Sequence, residues 1–497
     1  MQYVLGIDIG TGSVKAVAVD LQGKPFEVSQ QSYPFSVPKP GYHEQDPELI
    51  WHGFSKSLKE ITSKIGSMPI AIGLSCAMHS LIAVDEAGSP LAPMITWADN
   101  RSAEIATQLK QSAEGMAIYK ATGTPIHAMT PLCKLVWLKE NNPGLFNKAH
   151  KFISIKEYTW YKLFKEFKID HSVASGTGLF NITDLDWHPG SLTMAGITSR
   201  QLSDPVPTHY SKKYISGDVE PEIGFLQPGI TFVICASDGC MANLGSMAKP
   251  GTGIMTIGTS GAVRISSNKP LPNEQAMTFS YILDEDTFVC GGPINNGGIA
   301  LQWWLKTIIE STGDNNYYNI LFDQIKNIDA GSNGLFFLPY LTGERAPVWD
   351  SESCGTFFGV KLNHTQAHFS RAVLEGICYA MKNVLDAVQQ NSEPITQINV
   401  SGGFVRSDLW VQTLADITNI KQIITQTEDA SAMGAAFMAM KSVGLMKEYP
   451  TSVPADSQAF EPDAKNTAVY ARNYNIYKQL YPDLKDTMHK LYNSNPF

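Results

Sequence analysis

A short glycine-rich turn occurs twice in this chain, and the two copies lie half a chain length apart. The first is Gly10-Thr11-Gly12-Ser13 and the second is Gly258-Thr259-Ser260-Gly261, in a sequence of 497 residues. Each copy follows an apolar, β-rich run (YVLGIDI; GIMTI) and precedes another (VKAVAV; AVRI). This pattern predicts a glycine-rich hairpin rather than a turn from a strand into a helix. The repetition indicates two halves built on one plan.

Both turns are suited to holding phosphate groups. Glycine lets the backbone approach a ligand closely, and successive N–H groups in such a turn form a concavity for anions. Two such turns that face each other across a cleft would grip a polyphosphate from both sides, so we predict an ATP site between two domains. Neither turn matches a Walker loop or a dinucleotide fingerprint, because both of those lead into a helix. A nicotinamide-dependent enzyme is disfavoured for the same reason.

Length, charge and cysteine content limit the class of protein. A chain of 497 residues is too long for one core, and the Gly/Pro stretch at 245–251 suggests domains at 1–246 and 247–497. The net charge of −9 argues against a nucleic-acid partner. No apolar run is long enough to span a bilayer, and the seven cysteines form no C-x-x-C pair. We therefore expect a cytoplasmic protein with reduced thiols, a small-molecule partner and no membrane partner.

Apolar periodicity gives a coarse map of the chain. The first ~100 residues read as strands and turns. Helical patterns cover residues 101–111 and 131–140, and a further helix begins near Gly298. A long amphipathic helix is predicted over residues 365–388.

Asp8 is a candidate magnesium-associated carboxylate. It stands two residues before the first glycine turn, at the end of an apolar strand. A carboxylate there can hold Mg²⁺ through waters beside bound phosphates, although it can also simply cap the turn. Lys15 lies on the following strand, where it would add a positive charge directed at the phosphates.

Asp238 is a candidate catalytic base. In the segment FVICASDGCMANLG it follows a buried-type strand and precedes the start of a helix. A carboxylate at the carboxyl end of a strand beside a cleft can take the proton of a substrate hydroxyl. The alternative is a helix N-cap, a position that Asp favours.

Polar clusters at other strand ends suit a polyol, which needs many oriented hydrogen bonds. Met78-His79 separates two predicted strands, and Asp99-Asn100-Arg101 follows a third. His79 alone is more often structural, and Asp99 can simply pair with Arg101. In the second half, Gly402-Gly403 and Gly434-Ala435-Ala436 would fit either an adenine slot or close helix packing.

Several of these motifs, in this order, resemble the FGGY family of carbohydrate kinases. The segments MTPLCKLVWLKEN (129–141) and GTFFGVKLNHTQAHFSRAVLEG (355–376) are similar to the two signatures of that family. The resemblance covers almost the entire chain. It implies an α/β fold of two ribonuclease-H-like domains, arranged as in actin-like ATPases, with a cleft that closes over MgATP and a sugar.

The resemblance also implies roles for individual residues. Asp238 corresponds to the catalytic base that contacts the substrate, and Asp8 to the magnesium-associated carboxylate. The contacts expected for the first phosphate loop are Thr11, Gly12, Ser13 and Lys15, although glycerol kinases carry an arginine at the last position. The other expected nucleotide contacts are Thr259, Gly298, Gln302, Gly402, Gly403 and Ser407. The expected substrate contacts are Met78, His79, Asp99 and Arg101.

Within the family, the segments SCAMHSLIAVD, ITWADNRS and GGPINNGG are similar to gluconate kinases. This likeness implies ATP-dependent phosphorylation of D-gluconate. The alternatives are a xylulose kinase, which typically reads QMHG and WNDGR at these positions, another FGGY polyol kinase, and a non-catalytic actin-like ATP-binding protein. A gluconate site needs a cation for the carboxylate, and the candidates are Arg101 first, then Lys134, His79 and His127. A homodimer is left open.

Overall fold

The computed structural model describes residues 2–224, 229–248, 251–310, 315–425, 429–451 and 457–494. The strands before residue 240 are β1 Tyr3–Ile9, β2 Ser13–Asp20, β3 Pro25–Ser32, β4 Glu44–Gln45, β5 Ala71–Cys76, β6 Ile82–Val84, β7 Met94–Ile95, β8 Lys151–Ile153, β9 Lys168–Asp170, β10 Phe180–Asn181, β11 Asp186–Trp187, β12 Asp204–Val206, β13 Ser211–Lys212 and β14 Thr231–Val233. The later strands are β15 Thr252–Ile257, β16 Gly261–Ser267, β17 Phe279–Asp284, β18 Thr287–Ile294, β19 Phe336–Leu338, β20 Thr356–Phe358, β21 Gln397–Ser401, β22 Lys421–Ile424 and β23 Ala459–Phe460.

The α-helices follow the same chain order. They are α1 Pro47–Ile65, α2 Ala103–Lys110, α3 Ala113–Thr122, α4 Pro131–Asn141, α5 Pro143–Lys148, α6 Ile155–Phe164, α7 His171–Ser175, α8 Pro189–Ala195, α9 Glu220–Ile223, α10 Asp238–Gly245, α11 Gly298–Trp303, α12 Asn315–Ile325, α13 Gln366–Gln389, α14 Asp408–Thr418, α15 Ala430–Ser442 and α16 Ala464–Ser494. None of the helices within the described residues combines the length and the apolar character needed to cross a bilayer.

The two halves repeat one sheet plan, as the glycine turns predict. The first half forms a six-stranded sheet in the order β13-β14-β5-β1-β2-β3, and the second a seven-stranded sheet in the order β17-β18-β16-β15-β21-β22-β23. In both sheets a hairpin (β1–β2; β15–β16) is followed by a strand that pairs in parallel with its first member (β5; β21). Both glycine turns therefore close antiparallel hairpins, and the predicted turn type is confirmed.

Helix α1 corrects the prediction that the first ~100 residues contain only strands and turns. Its buried residues Ile50, Trp51, Phe54, Leu58 and Ile61 are spaced so that they share one face. Both ends of α1 have capping residues of the usual kinds. The Asp46 side chain accepts from the Glu48 N–H, and Gly66 ends the helix at φ 71°. The sequence pattern did not reveal α1, because strands lie on both sides of this segment and the strand pattern was extended across it.

Helix α15 belongs to the second half of the sequence but packs on the first sheet and on α10. An added Cβ at Gly73 of β5 would lie 2.1 Å from the Ala435 carbonyl oxygen. An added Cβ at Gly434 would lie 2.0 Å from the carbonyl oxygen of Met241, on α10. These contacts favour helix packing over an adenine slot as the role of the Gly434-Ala435-Ala436 segment. The contact between α15 and α10 matters for function because α10 begins with Asp238.

Candidate active site

The carboxyl ends of three parallel strands meet at one edge of the first sheet. β1 pairs with β5 so that Ile9 lies opposite Cys76, and β5 pairs with β14. Beyond the end of β14, Cys76 forms a parallel bridge with Ser237, the residue before Asp238. Asp8, the segment after β5 and Asp238 therefore lie along the same edge, which is where open α/β sheets bind ligands.

Asp238 is held at the first position of α10. Ser237 occupies the N-cap position, so Asp238 is not the N-cap that its sequence context also allowed. Its Oδ1 accepts a hydrogen bond of 2.7 Å from the Gly239 N–H. Burial raises the pKa of the Asp238 carboxyl, while the Gly239 N–H and the charge of Arg264 oppose that rise. A carboxylate with a raised pKa is suited to accept a proton from an alcohol.

Lys156 fixes the backbone that leads to Asp238, and no motif in the sequence points to it. Its Nζ is buried and donates to Asp170 Oδ2 at 2.9 Å. The same Nζ donates to the carbonyl oxygens of Cys235 at 3.0 Å and Ala236 at 2.9 Å. Cys235 has the left-handed φ of 52°. The buried cation therefore satisfies the two carbonyls of this strained turn, which places Asp238.

Asp8 and Lys15 lie opposite each other on β1 and β2. Asp8 Oδ1 accepts from Ser75 Oγ at 2.8 Å. Burial, and secondarily the charge of Asp238, raises the pKa of Asp8 to about 7. Lys15 Nζ lies 2.6 Å from Oδ1 of Asp429, which belongs to the second half of the chain. Lys15 thus already has an anionic partner, whereas the sequence suggested that it points at phosphates.

Both glycine turns have open space beside one glycine, Gly12 in the first and Gly258 in the second, and the carbonyls of both turns accept hydrogen bonds from neighbouring segments. In the first, an added Cβ at Gly12 would meet no atom within 4 Å, so the space beside it is open. Trp97 Nε1 donates to Thr11 Oγ1 at 2.8 Å. In the second, the N–H groups of Gly298 and Ile299 donate to the carbonyls of Gly258 and Thr259 at 2.7 and 3.1 Å. Those two N–H groups are therefore used to support the turn.

A cavity of about 450 Å³ opens beside the second turn. Its wall brings together Thr259, Gly298, Gln302, Gly403 and Ser407, as the sequence predicts for nucleotide contacts. Further lining residues that the sequence did not single out are Tyr318, Asn319, Phe322, Phe404, Arg406 and Trp410. This mainly apolar, aromatic wall with a few polar groups suits a flat heteroaromatic ring.

Gly402 is not among the residues that line this cavity. Its φ is 106°, and an added Cβ would lie 2.4 Å from the Ile257 carbonyl oxygen. Gly402 therefore lets the chain turn tightly behind the wall rather than contacting the cavity itself.

His79 and its neighbours form the part of the edge expected to bind the substrate. The His79 Nδ1 is 2.8 Å from the Gly176 carbonyl oxygen, and an added Cβ at Gly176 would lie 2.2 Å from the tip of Met78. Burial, reinforced by the charge of Lys134, lowers the pKa of His79 to about 3. His79 is therefore neutral, with the Nδ1 proton donated to Gly176, so Nε2 is a hydrogen-bond acceptor.

Asp99 and Arg101, which the sequence predicts as substrate contacts, form an ion pair with each other. Arg101 Nε donates to Asp99 Oδ1 at 2.8 Å, and its NH2 donates to Asp99 Oδ2 at 2.7 Å and to Glu44 Oε1 at 2.6 Å. Asp99 is fully buried and also accepts from the His43 N–H at 2.6 Å. The guanidinium stacks on Tyr42 at 3.9 Å. This closed network argues against a role for either side chain in holding a substrate carboxylate.

The second half contributes two arginines that the sequence did not single out. Arg345 donates through Nε to Asn295 Oδ1 at 2.7 Å, and its guanidinium lies 5.7 Å from the Trp97 ring. The Arg345 charge also acts to lower the pKa of both His79 and His127. Arg264, on β16, lies beside Asp238. Both are single basic residues within apolar or turn segments, which carry no motif.

Models of one protein family match most of the chain. The N-terminal domain of the FGGY family of carbohydrate kinases matches residues 3–245, and its C-terminal domain matches residues 253–443. The gluconokinase of Bacillus subtilis (strain 168) is 40% identical over 456 residues, which are 90% of this chain and 89% of that protein. The xylulose kinase of Staphylococcus xylosus is 30% identical over 488 residues, covering 97% of this chain and all of that protein.

Solved structures agree with this relationship. The crystal structure of gluconate kinase from Lactobacillus acidophilus superposes with a TM-score of 0.94 at 31% identity, covering 99% of each chain. The two-domain α/β fold implied by the sequence is thereby confirmed. The chain belongs to the FGGY family of carbohydrate kinases and is an ATP-dependent sugar kinase.

Proposed function

We propose that this kinase transfers the γ-phosphoryl group of ATP to the primary hydroxyl of D-gluconate, giving 6-phospho-D-gluconate. The similarity to the Bacillus subtilis gluconokinase exceeds that to the xylulose kinases. The observation that carries the proposal is the basic surrounding of the substrate pocket, where Lys134 and Arg345 act on the neutral His79 and Arg264 acts on Arg345. A negatively charged sugar acid fits such a pocket better than a neutral ketose does.

Asp238 is the base in the proposed reaction. Its carboxylate accepts the proton of the primary hydroxyl as that oxygen attacks the γ-phosphorus, and ADP leaves. Its raised pKa makes it a better acceptor than an ordinary aspartate. Positioning and electrostatics carry most of such a transfer, since the phosphoryl group needs little covalent help. Closure of the two halves over the substrates would exclude water as a competing acceptor.

Asp8 is the residue we propose for magnesium. Within the described ranges, no cluster of three or more His, Cys, Asp or Glu side chains could hold a metal ion by itself. A single carboxylate fits Mg²⁺, which keeps several waters and takes its other ligands from substrate phosphates. Magnesium, when bound, would offset the charge of the phosphates. The raised pKa of Asp8 also fits a site that awaits a cation.

The remaining proposals concern the nucleotide site, the cellular compartment and the oligomeric state. Thr11, Gly12 and Ser13 of the first turn and Thr259 of the second would receive the phosphates, with the adenine in the 450 Å³ cavity. The seven free cysteines fit a reducing compartment, and we place the reaction in the cytoplasm. A homodimer stays a prediction.

A coupled ADP-release assay over gluconate, xylulose, ribulose and glycerol tests the substrate. We expect gluconate to give the highest kcat/KM by at least ten-fold. A preference for xylulose would overturn the gluconate assignment and favour a xylulose kinase. Binding of ATP without turnover of any polyol would instead favour the non-catalytic actin-like alternative.

A further inference from the structure

Arg264 is a cation on β16 that has no hydrogen-bond or ion-pair partner among the residues that the structure describes. Its backbone pairs with Ile254 and Gly291. An added Cβ at Gly239 would lie 3.5 Å from Arg264 Nε, which places the guanidinium beside the catalytic Asp238. Arg264 is only partly buried, so its unused donors are available to a ligand that supplies acceptors.

Tyr281 offers an unused hydroxyl in the same place. The residue is 5% exposed, and its hydroxyl is buried with no hydrogen-bond partner among the atoms that the structure describes. Stacking on Phe279, with ring centroids 4.5 Å apart, fixes the orientation of the Tyr281 ring, and His79 packs against it at 6.0 Å. Buried phenol hydroxyls are nearly always hydrogen-bonded, so this one is directed at something that binds there.

Arg345 is the third residue of the group that Arg264 and Tyr281 form. It lies close enough to Arg264 and Tyr281 for all three to influence one another electrostatically. Its neighbour in sequence, Glu344, accepts from the N–H groups of Asn295 and Arg345 and from Asn296 Nδ2 at 3.1 Å, and the Glu344 charge acts on Arg345. Within the described residues, Arg264 therefore supplies the unpaired guanidinium donors of this group, and Arg345 lies beside it.

We propose that Arg264, together with the Tyr281 hydroxyl and Arg345, binds the carboxylate of the sugar-acid substrate. This inference rests on the proposed gluconate kinase function and assigns the specificity for an acid to the second half of the chain. A guanidinium presents paired N–H donors that match the two oxygens of a carboxylate, and a phenol hydroxyl can add a third donor. Arg101, the candidate from the sequence, is already saturated by Asp99 and Glu44.

The position of Arg264 along its strand separates this role from phosphate binding. The second phosphate turn ends at Gly261, where β16 begins, and Arg264 follows three residues later. At about 3.3 Å per residue in a strand, the two backbone positions are roughly 10 Å apart. The Arg264 backbone therefore lies away from the phosphate turn, while its guanidinium lies beside Gly239, next to Asp238.

The test compares Arg264→Gln and Tyr281→Phe with gluconate and with glucitol, the neutral hexitol that replaces the carboxylate by an alcohol. We expect Arg264→Gln to raise the KM for gluconate roughly ten- to a hundred-fold. Tyr281→Phe should raise it about three- to ten-fold. The KM for ATP should change less than two-fold in both variants, and the KM for glucitol should rise much less than the KM for gluconate, because glucitol has no carboxylate. Arg264→Lys should recover part of the gluconate affinity, since it restores charge without the paired donors.

Lys269→Gln is the matched control, because it removes one positive charge from an exposed position shortly after the same strand. It should leave all constants unchanged. If Arg264→Gln raises the KM for gluconate and the KM for glucitol by the same factor, Arg264 does not recognise the carboxylate and the proposal is overturned. A wild-type enzyme that prefers xylulose overturns the gluconate function and this subsite together. A wild-type enzyme that prefers gluconate, with an unaffected Arg264→Gln variant, overturns the subsite alone.

Discussion

Asp238 combines burial with a dense set of supporting contacts. Its carboxyl sits at the start of α10, and the preceding carbonyls are held by the buried Lys156. Burial raises the pKa of Asp238, and the Arg264 charge opposes the rise. The residue is thus a stronger base than a solvated aspartate.

The first prediction concerns this base. Asp238→Asn keeps the shape of the side chain but cannot accept a proton, so we expect kcat with gluconate to fall by about 10²–10⁴-fold. The affinity for ATP, measured by equilibrium titration, should stay within about two-fold. A variant that retained near-normal turnover would show that another group takes the proton.

The second prediction concerns the buried cation Lys134. Burial lowers the pKa of Lys134 to about 7, and its Nζ donates to the carbonyl oxygen of His79. An unfolded lysine titrates near 10.4, so between pH 7 and pH 10 the unfolded chain holds a proton that the folded protein has released. The folded state therefore gains stability from this residue as the pH rises through that window.

The measurement is urea unfolding of the wild type and of Lys134→Met at pH 7 and pH 9. The difference in unfolding free energy, wild type minus variant, should increase by about 2 kcal/mol between the two pH values. Lys139→Met, at an exposed position on the same helix, should show no such increase. A difference that stayed constant for Lys134→Met would mean that this lysine is protonated throughout.

At the scale of secondary structure, the sequence predicted repeated features better than isolated ones. The hairpins around Gly10 and Gly258 were predictable because the same turn recurs with the same flanking strands. The five residues that the family motifs predict as nucleotide contacts around Thr259 share one cavity wall, and their contact with a nucleotide stays a prediction. Helix α1 was missed, although its caps and apolar spacing are visible once the segment is isolated.

The substrate pocket was predicted less well because its chemistry depends on partners distant in sequence. Arg101 was the first candidate to bind the substrate carboxylate, although pairing with Asp99 was the open alternative. The structure shows that pair, and Glu44, 57 residues away, completes the network. No sequence pattern pointed to Arg264. Its role is inferred from the folded structure, in which its guanidinium has no ion-pair partner among the described residues. Which charges are already paired is decided by tertiary packing, and local periodicity carries no information about it.

The third prediction concerns the crossing of α10 and α15. Because an added Cβ at Gly434 would lie 2.0 Å from the Met241 carbonyl oxygen, Gly434→Ala must push the two helices apart. We expect a loss of about 1–3 kcal/mol in the free energy of unfolding, and a lower kcat because α10 carries Asp238.

Urea unfolding and the coupled ADP-release assay on the same preparation measure both effects. Gly217→Ala is the control, since an added Cβ there meets no atom within 4 Å and the site is exposed. Equal unfolding midpoints for Gly434→Ala and Gly217→Ala would contradict the close helix contact.

At the scale of the whole molecule, polar contacts join the two halves around the proposed cleft. Lys110 of the first half donates to the Trp349 carbonyl oxygen of the second, and the Tyr119 hydroxyl donates to the Thr278 carbonyl oxygen at 2.8 Å. The Lys15–Asp429 ion pair joins the halves beside Asp8. Of these contacts, the Lys15–Asp429 ion pair is the one beside the proposed phosphate site, where a bound phosphate would compete for the Lys15 ammonium.

The last prediction follows from that competition. The phosphates of ATP carry negative charge, and Asp429 both repels them and occupies Lys15, the cation expected to face them. Asp429→Asn removes the repulsion and releases Lys15, so we expect the KM for ATP to fall by about two- to five-fold. Because both side chains are partly exposed, a larger effect is not expected. Lys15→Met should raise the KM for ATP by a similar factor, and neither change should alter the KM for gluconate. An unchanged or higher KM for ATP in Asp429→Asn would mean that Lys15 serves to join the two halves and does not contact the nucleotide.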